Sequence, residues 1–169
     1  MFRTPNRRII LLALAVLFLD QLTKQLVIHM IESEGERVVI RGFFKFVHWN
    51  NTGAAWSMFM GNNGVLAVIA VMALITLFFT KHHFEAHTLA GQIALGFIFG
   101  GISGNLLDRI RLHHVTDFIY FYMQRRGASE IYFPAFNVAD SAICVGVGLM
   151  FLLSLKADRE LQKPAQPQV

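Results

Sequence analysis

The chain has a single cysteine, Cys144, in 169 residues, which excludes an intrachain disulfide framework and any Cys-x-x-Cys metal site. Charge is scarce too. Asp, Glu, Lys and Arg together make up 15% of the sequence, against roughly a quarter in an average soluble domain. There is no His-Glu-x-x-His motif, no repeat at a fixed period and no inverted-repeat symmetry of the transporter kind. The net charge of +4 is small, and the basic residues flank apolar blocks. Contact with anionic phospholipid headgroups fits that pattern better than nucleic-acid binding.

What is abundant is apolar sequence, 54% of the chain with a mean hydropathy of +0.48, and it comes in blocks rather than stripes. Four blocks have the roughly 17–25 residues that cross a bilayer: 9–31, 64–80, 89–107 and 135–155. They predict a polytopic membrane protein with four transmembrane helices, and the length allows one domain over 1–169. Arg3, Arg7 and Arg8 ahead of the first block resemble the start of a secretory signal. No small-residue cleavage site follows, so the block is read as an uncleaved first helix. Residues 37–49 are rich in β-branched and aromatic types and predict short strands at the bilayer surface. A second aromatic patch lies at 118–122, and the tail from Lys156, with Pro164 and Pro167, is expected to be disordered.

Four spans put both termini and the loop 81–87 on one side. Arg3, Arg7, Arg8, Lys81, Lys156, Arg159 and Lys163 lie there, denser than the basic residues of the two longer connections. The positive-inside rule assigns that side to the cytoplasm.

Ionisable residues within or beside the spans are Asp20, Lys24, Asp108, Arg109, Asp117 and Asp140. A charge at a helix centre costs roughly 2.5–3.5 kcal/mol on insertion scales, so such residues pair, face protein or mark function. In this topology all of them fall toward the non-cytoplasmic side, with the polar loop 50–53, and one site at the outer membrane boundary is the simplest reading. Asp20 and Lys24, spaced i and i+4, can form a structural ion pair. Asn105, Asp108 and Arg109 share a helix face. Gly96, Gly100 and Gly104 form a close-packing stripe, and Gly101 and Gly104 bring backbone next to the polar cluster.

Asp117 and Asp140 have no obvious basic partner. They stand at opposite ends of one connection, between helices that must begin and end at similar depth. Two carboxyls brought together cannot both ionise cheaply, and one then keeps its proton. Such a pair serves as general acid and general base against a peptide carbonyl. The alternative is that each caps a helix, for which Asp140 is well placed. Rival motifs are weaker. Gly101-Ile102-Ser103-Gly104 matches the G-x-S-G of rhomboid serine proteases, whose base would have to be His29. His82, His83 and His87 sit in a cytoplasmic loop away from every other polar cluster and read as solvated rather than metal-binding. Cys144 reads as packing.

Five ordered blocks then carry a resemblance across nearly the whole chain. They are Asp20-Gln21-Leu22-Thr23-Lys24, Asn51-Thr52-Gly53-Ala54-Ala55, the run from Gly101 to Arg109, Val115-Thr116-Asp117-Phe118, and the run from Phe133 to Ser141. Together they resemble the bacterial lipoprotein signal peptidases (signal peptidase II). The resemblance implies an aspartic endopeptidase of the cytoplasmic (inner) membrane, with four helices, a small periplasmic β-cradle and a helical flap. It further implies Asp117 and Asp140 as the catalytic dyad, supported by Asp20, Lys24, Asn51, Asn105, Arg109 and Asn137. Implied partners are diacylglyceryl-modified prolipoproteins, cut before the lipidated cysteine, and cyclic-peptide antibiotics as inhibitors; no metal or cofactor is implied. Asn50, Trp56 and Thr116 depart from residues common in that family, and the connection 124–131 is somewhat long. A non-enzymatic four-span transporter or assembly subunit with a proton relay is the alternative of another class.

Overall fold

The computed structural model describes residues 4–53, 61–84, 86–123 and 131–161. Four helices, α1 (Thr4–Met30), α2 (Asn63–Thr80), α3 (Leu89–Arg111) and α4 (Val138–Leu161), are each long and apolar enough to cross a membrane. α3 is the hub, packing against α1, α4 and α2. Its glycines make that possible. A Cβ on Gly96 would stand 2.6 Å from Leu12 Cβ, and one on Gly100 would stand 2.6 Å from the Ala13 carbonyl. The stripe therefore seats α1 on α3 at backbone distance, as small residues do between membrane helices. Outward faces stay apolar and exposed, among them Leu14 and Phe18 on α1 and Met72 and Phe79 on α2. In a chain of this kind those faces meet lipid, so exposure here carries no hydrophobic penalty. Cys144 is exposed on α4, so the packing role read from its neighbours is corrected.

The helix ends differ from the apolar blocks in instructive ways. α4 does not begin at 135, because Phe136 makes an isolated bridge to Ile119 and Asn137 caps the helix. The Asn137 carboxamide accepts from the Asp140 amide at 2.9 Å, while Asp140 Oδ2 accepts from the Asn137 amide at 3.2 Å. This is a reciprocal capping box. At its other end α4 continues through Leu161, so residues 156–161 are helical rather than disordered. Five of these six residues, all but Asp158, are good helix formers, and a helix has no reason to stop at the edge of the hydrocarbon. α3 likewise runs past 107 to Arg111.

Between the helices lies a four-stranded antiparallel sheet, β1 (Glu36–Ile40), β2 (Phe44–Asn51), β3 (Val115–Met123) and β4 (Ile131–Tyr132), in that spatial order. The hairpin between β1 and β2 turns through Gly42 at φ 75, a left-handed conformation natural to glycine. β1 and β2 are the strands the 37–49 stretch predicts. The 118–122 patch is more than an aromatic loop, because it forms the strand that pairs with β2. Their register, with Trp49 opposite Asp117 and Asn51 opposite Val115, brings the second motif alongside the fourth. Residues 54–60, including Trp56, and the connection 124–130 lie outside the described residues.

Candidate active site

At the end of the bundle that faces the sheet, α1, α3, α4, β2 and β3 each supply polar side chains to one buried cluster. At its centre is Lys24, only 1% exposed. The Lys24 ammonium lies 2.8 Å from Asp20 Oδ2 and 2.8 Å from Asp108 Oδ2, and it donates to Asn105 Oδ1 at 2.9 Å. The i, i+4 spacing predicts the first of these contacts. The second and third join α1 to α3, and only the tertiary packing supplies them.

Asn105 passes the network on. Its Nδ2 donates to Asp140 Oδ1 at 2.7 Å. Asn137, wholly buried, donates through Nδ2 to Asp117 Oδ1 at 2.8 Å and to Asn105 Oδ1 at 3.2 Å. Its backbone amide faces Asp140, so a single residue touches both carboxyls. From β2, Asn51 Nδ2 donates to Asp117 Oδ2 at 2.8 Å. Asn51 is itself held by the Gly53 amide at 2.9 Å, and the Gly53 carbonyl accepts from Arg109 Nη2 at 2.8 Å. Arg109 thus fixes the backbone leaving β2, and its own carbonyl accepts from Asn63 Nδ2 at the start of α2.

The glycines complete the framework. A Cβ on Gly101 would lie 2.5 Å from the Ala139 carbonyl of α4, and one on Gly104 would lie 2.5 Å from Asp20 Oδ2. Only hydrogen at these positions lets α3 approach both the start of α4 and the Asp20 carboxylate. Asp117, Asp140, Asp20, Lys24, Asn51, Gly101, Gly104, Asn105, Asp108, Arg109 and Asn137 therefore all meet in one region. Gln21 was missed. It donates to Asp108 Oδ1 at 2.8 Å and to the Gly104 carbonyl at 3.3 Å, and its place between Asp20 and Lys24 was the available signal.

Asp117 is buried, and among the described residues it has no ion-pair partner. Burial and then the nearby Asp140 charge push its carboxyl up to about 7, against the opposing donors Asn51 and Asn137. A carboxyl raised this far is half protonated near neutrality, as an acid–base pair requires. The capping reading of Asp140 holds alongside this, since its two oxygens are divided between the Asn137 amide and Asn105.

The rival arrangements do not assemble. His29 is exposed and its Nδ1 lies 2.7 Å from the carbonyl of Gln25 on its own helix. Among the described residues no hydrogen bond links it to Ser103. His82 and His83 occupy the turn Lys81–His83 between α2 and α3, at the opposite end of α3 from Asp108. Among the described residues no three His, Cys, Asp or Glu side chains converge as a metal site.

A four-helix membrane bundle with a buried carboxyl that has no ion-pair partner among the described residues, close to a second carboxyl and adjoined by a small sheet, defines an integral membrane protein equipped for acid–base chemistry. The comparisons narrow this. Residues 12–156 match the family model described as signal peptidase (SPase) II. The chain is 38% identical to the lipoprotein signal peptidase of Geobacter metallireducens, over 94% of this chain and 98% of that one. It is 36% identical to that of Symbiobacterium thermophilum, over 89% and 96%. A solved bacterial membrane enzyme superposes with a TM-score of 0.77 at 30% identity, covering 95% of this chain and 94% of the other. The chain belongs to the signal peptidase II family, and it is a multi-pass bacterial membrane protease.

Proposed function

We propose that this protease removes signal peptides from prolipoproteins, cutting before a cysteine that carries diacylglycerol, with Asp117 and Asp140 as an aspartic dyad. The observation that carries the dyad is the meeting of both carboxyls on Asn137, with Asp117 raised to about 7. The ionised member takes a proton from water, whose oxygen bonds to the scissile carbonyl carbon. The protonated member gives its proton to the carbonyl oxygen. Collapse of the tetrahedral adduct breaks the C–N bond, the departing amine receives the proton taken from water, and the re-forming carbonyl returns its hydroxyl proton to the dyad. Asn51, Asn105 and Asn137 orient the carboxyls, and Arg109 holds the backbone beside Asn51.

A diacylglyceryl-modified peptide is confined to the membrane, and relatives matched along nearly the whole chain are named lipoprotein signal peptidases; both support this substrate. The site then faces the outer side of the inner membrane with both termini in the cytoplasm, and cyclic-peptide inhibitors of the family would occupy the dyad. The test uses purified enzyme in detergent. It should cleave a lipidated prolipoprotein and ignore the unmodified form, while Asp117→Asn and Asp140→Asn should each abolish cleavage. The double variant should be hardly worse than either single one, because members of one catalytic unit are non-additive. Equal turnover of both substrates removes the lipid requirement, and substantial activity in a well-folded single variant removes the dyad.

A further inference from the structure

Lys24 sits at the centre of a fork. Its ammonium bridges Asp20 and Asp108, and all three side chains are buried. The carboxylates do more than neutralise it. Asp20 Oδ1 accepts from the Ala139 amide at 2.9 Å, and Asp108 Oδ2 accepts from the Thr116 amide at 3.3 Å. Ala139 and Thr116 are the residues immediately before Asp140 and Asp117. Each prong therefore holds the peptide that leads into one member of the dyad. Gln21 steadies the Asp108 prong through the bond to Oδ1, and Gly104 leaves room for the Asp20 prong.

Two carboxylates and one ammonium are a poor way to stabilise a fold, since desolvation offsets much of their attraction and apolar packing of the same volume does as well. What such a cluster supplies is directional, charge-assisted hydrogen bonding to chosen backbone atoms. Here the chosen atoms belong to two elements, β3 and α4, that reach the site from different directions.

We propose that Asp20, Gln21, Lys24 and Asp108 form a buried positioning clamp that sets the separation of Asp117 and Asp140 by holding the two amides that precede them. The proposal rests on the dyad reading above. A misplacement of about 1 Å costs on the order of 10²-fold in rate, so the clamp acts on turnover rather than on binding.

Steady-state kcat and KM on a lipidated prolipoprotein peptide, with thermal melting of each purified variant, test it. Asp108→Ala is expected to lower kcat on the order of 10²-fold with KM nearly unchanged. Asp108→Asn keeps an oxygen for the Thr116 amide and should recover a large part of that loss, which a purely structural role for the charge would not produce. Gln21→Leu removes a neutral donor while leaving both Lys24 bridges, and it should fold and lose about 10-fold in kcat for a displacement below 1 Å. If Asp108→Ala fails to fold, Gln21→Leu decides alone. Parent kcat in folded Gln21→Leu, or a rise in KM alone, overturns the clamp. An inactive Asp117→Asn beside a fully active Gln21→Leu removes the clamp and leaves the dyad, whereas an active Asp117→Asn removes the dyad itself.

Discussion

Asn137 Nδ2 lies 2.8 Å from Asp117 Oδ1, and in the proposed dyad this contact limits where a proton on Asp117 can point. Nδ2 only donates, as does Asn51 Nδ2 on the other Asp117 oxygen. A proton on Asp117 therefore finds no acceptor in either asparagine nitrogen and is free to be given to a substrate carbonyl. The same donors favour the ionised form, yet burial and the Asp140 charge outweigh them.

Activity should fall with rising pH. In the proposed scheme the pair holds one proton, and with Asp117 at about 7 that proton is lost as pH climbs through neutrality. kcat/KM measured between pH 5 and 9 should show an alkaline limb near 7 that belongs to the pair rather than to one residue. A flat profile up to pH 9 would contradict the shared-proton scheme.

Stability should follow the same group with a definite sign. The folded-state value lies above the ordinary carboxylate value, so the fold binds more protons than the unfolded chain between them. Stability is then undiminished below about pH 4, declines toward 7 by at most about 1.4 kcal/mol per pH unit, and levels off above. Melting of Asp117→Asn should lack this decline and exceed that of the parent at pH 8. Parallel pH dependence in both proteins would assign the effect to other groups.

Thr116 is wholly buried, and its hydroxyl has no hydrogen-bond partner among the described residues. Thr116→Val keeps the shape and removes the unpaired hydroxyl, so it should raise stability by about 1 kcal/mol. Its backbone amide still reaches Asp108. A melting temperature lowered by the substitution would mean that the hydroxyl is satisfied by water.

Two glycines should respond oppositely to alanine. Gly104→Ala places a methyl against Asp20 Oδ2, whereas a Cβ on Gly148 meets nothing within 4 Å. Gly104→Ala should cost about 1–3 kcal/mol through overpacking and reduce activity, while Gly148→Ala should stabilise α4 by up to about 1 kcal/mol. Denaturation of the two variants in one detergent gives the comparison. Equal effects would deny Gly104 its role as the spacer for Asp20.

Orientation has its own test. Reporter fusions after Lys81 and Lys163 should read cytoplasm, and fusions near Gly35 and Gly127 should read exterior. An exterior signal after Lys163 would break the four-span parity.

The spans were legible because each apolar block must satisfy its backbone internally, which in lipid leaves a helix as the solution for a single segment. The pairing of Asp20 with Lys24 was legible for a similar reason, since i, i+4 neighbours share a face wherever the helix sits. The capping box was also present in the sequence as Asn137-Val138-Ala139-Asp140. Its consequence for where α4 begins is clear only once Phe136 is seen bridged to β3.

Non-local contacts decided the rest. Nothing in the spacing says that Lys24 also meets Asp108, that Gln21 braces it, or that 118–122 is the strand lying against β2. Those relations depend on how α1 and α3 close over Gly96 and Gly100 and on the β2–β3 register. Local periodicity reports which side of an element is apolar, because that preference is paid residue by residue in transfer free energy. Which polar atom answers which across the bundle is set by the collective packing of all four helices and the sheet, and no single segment encodes it.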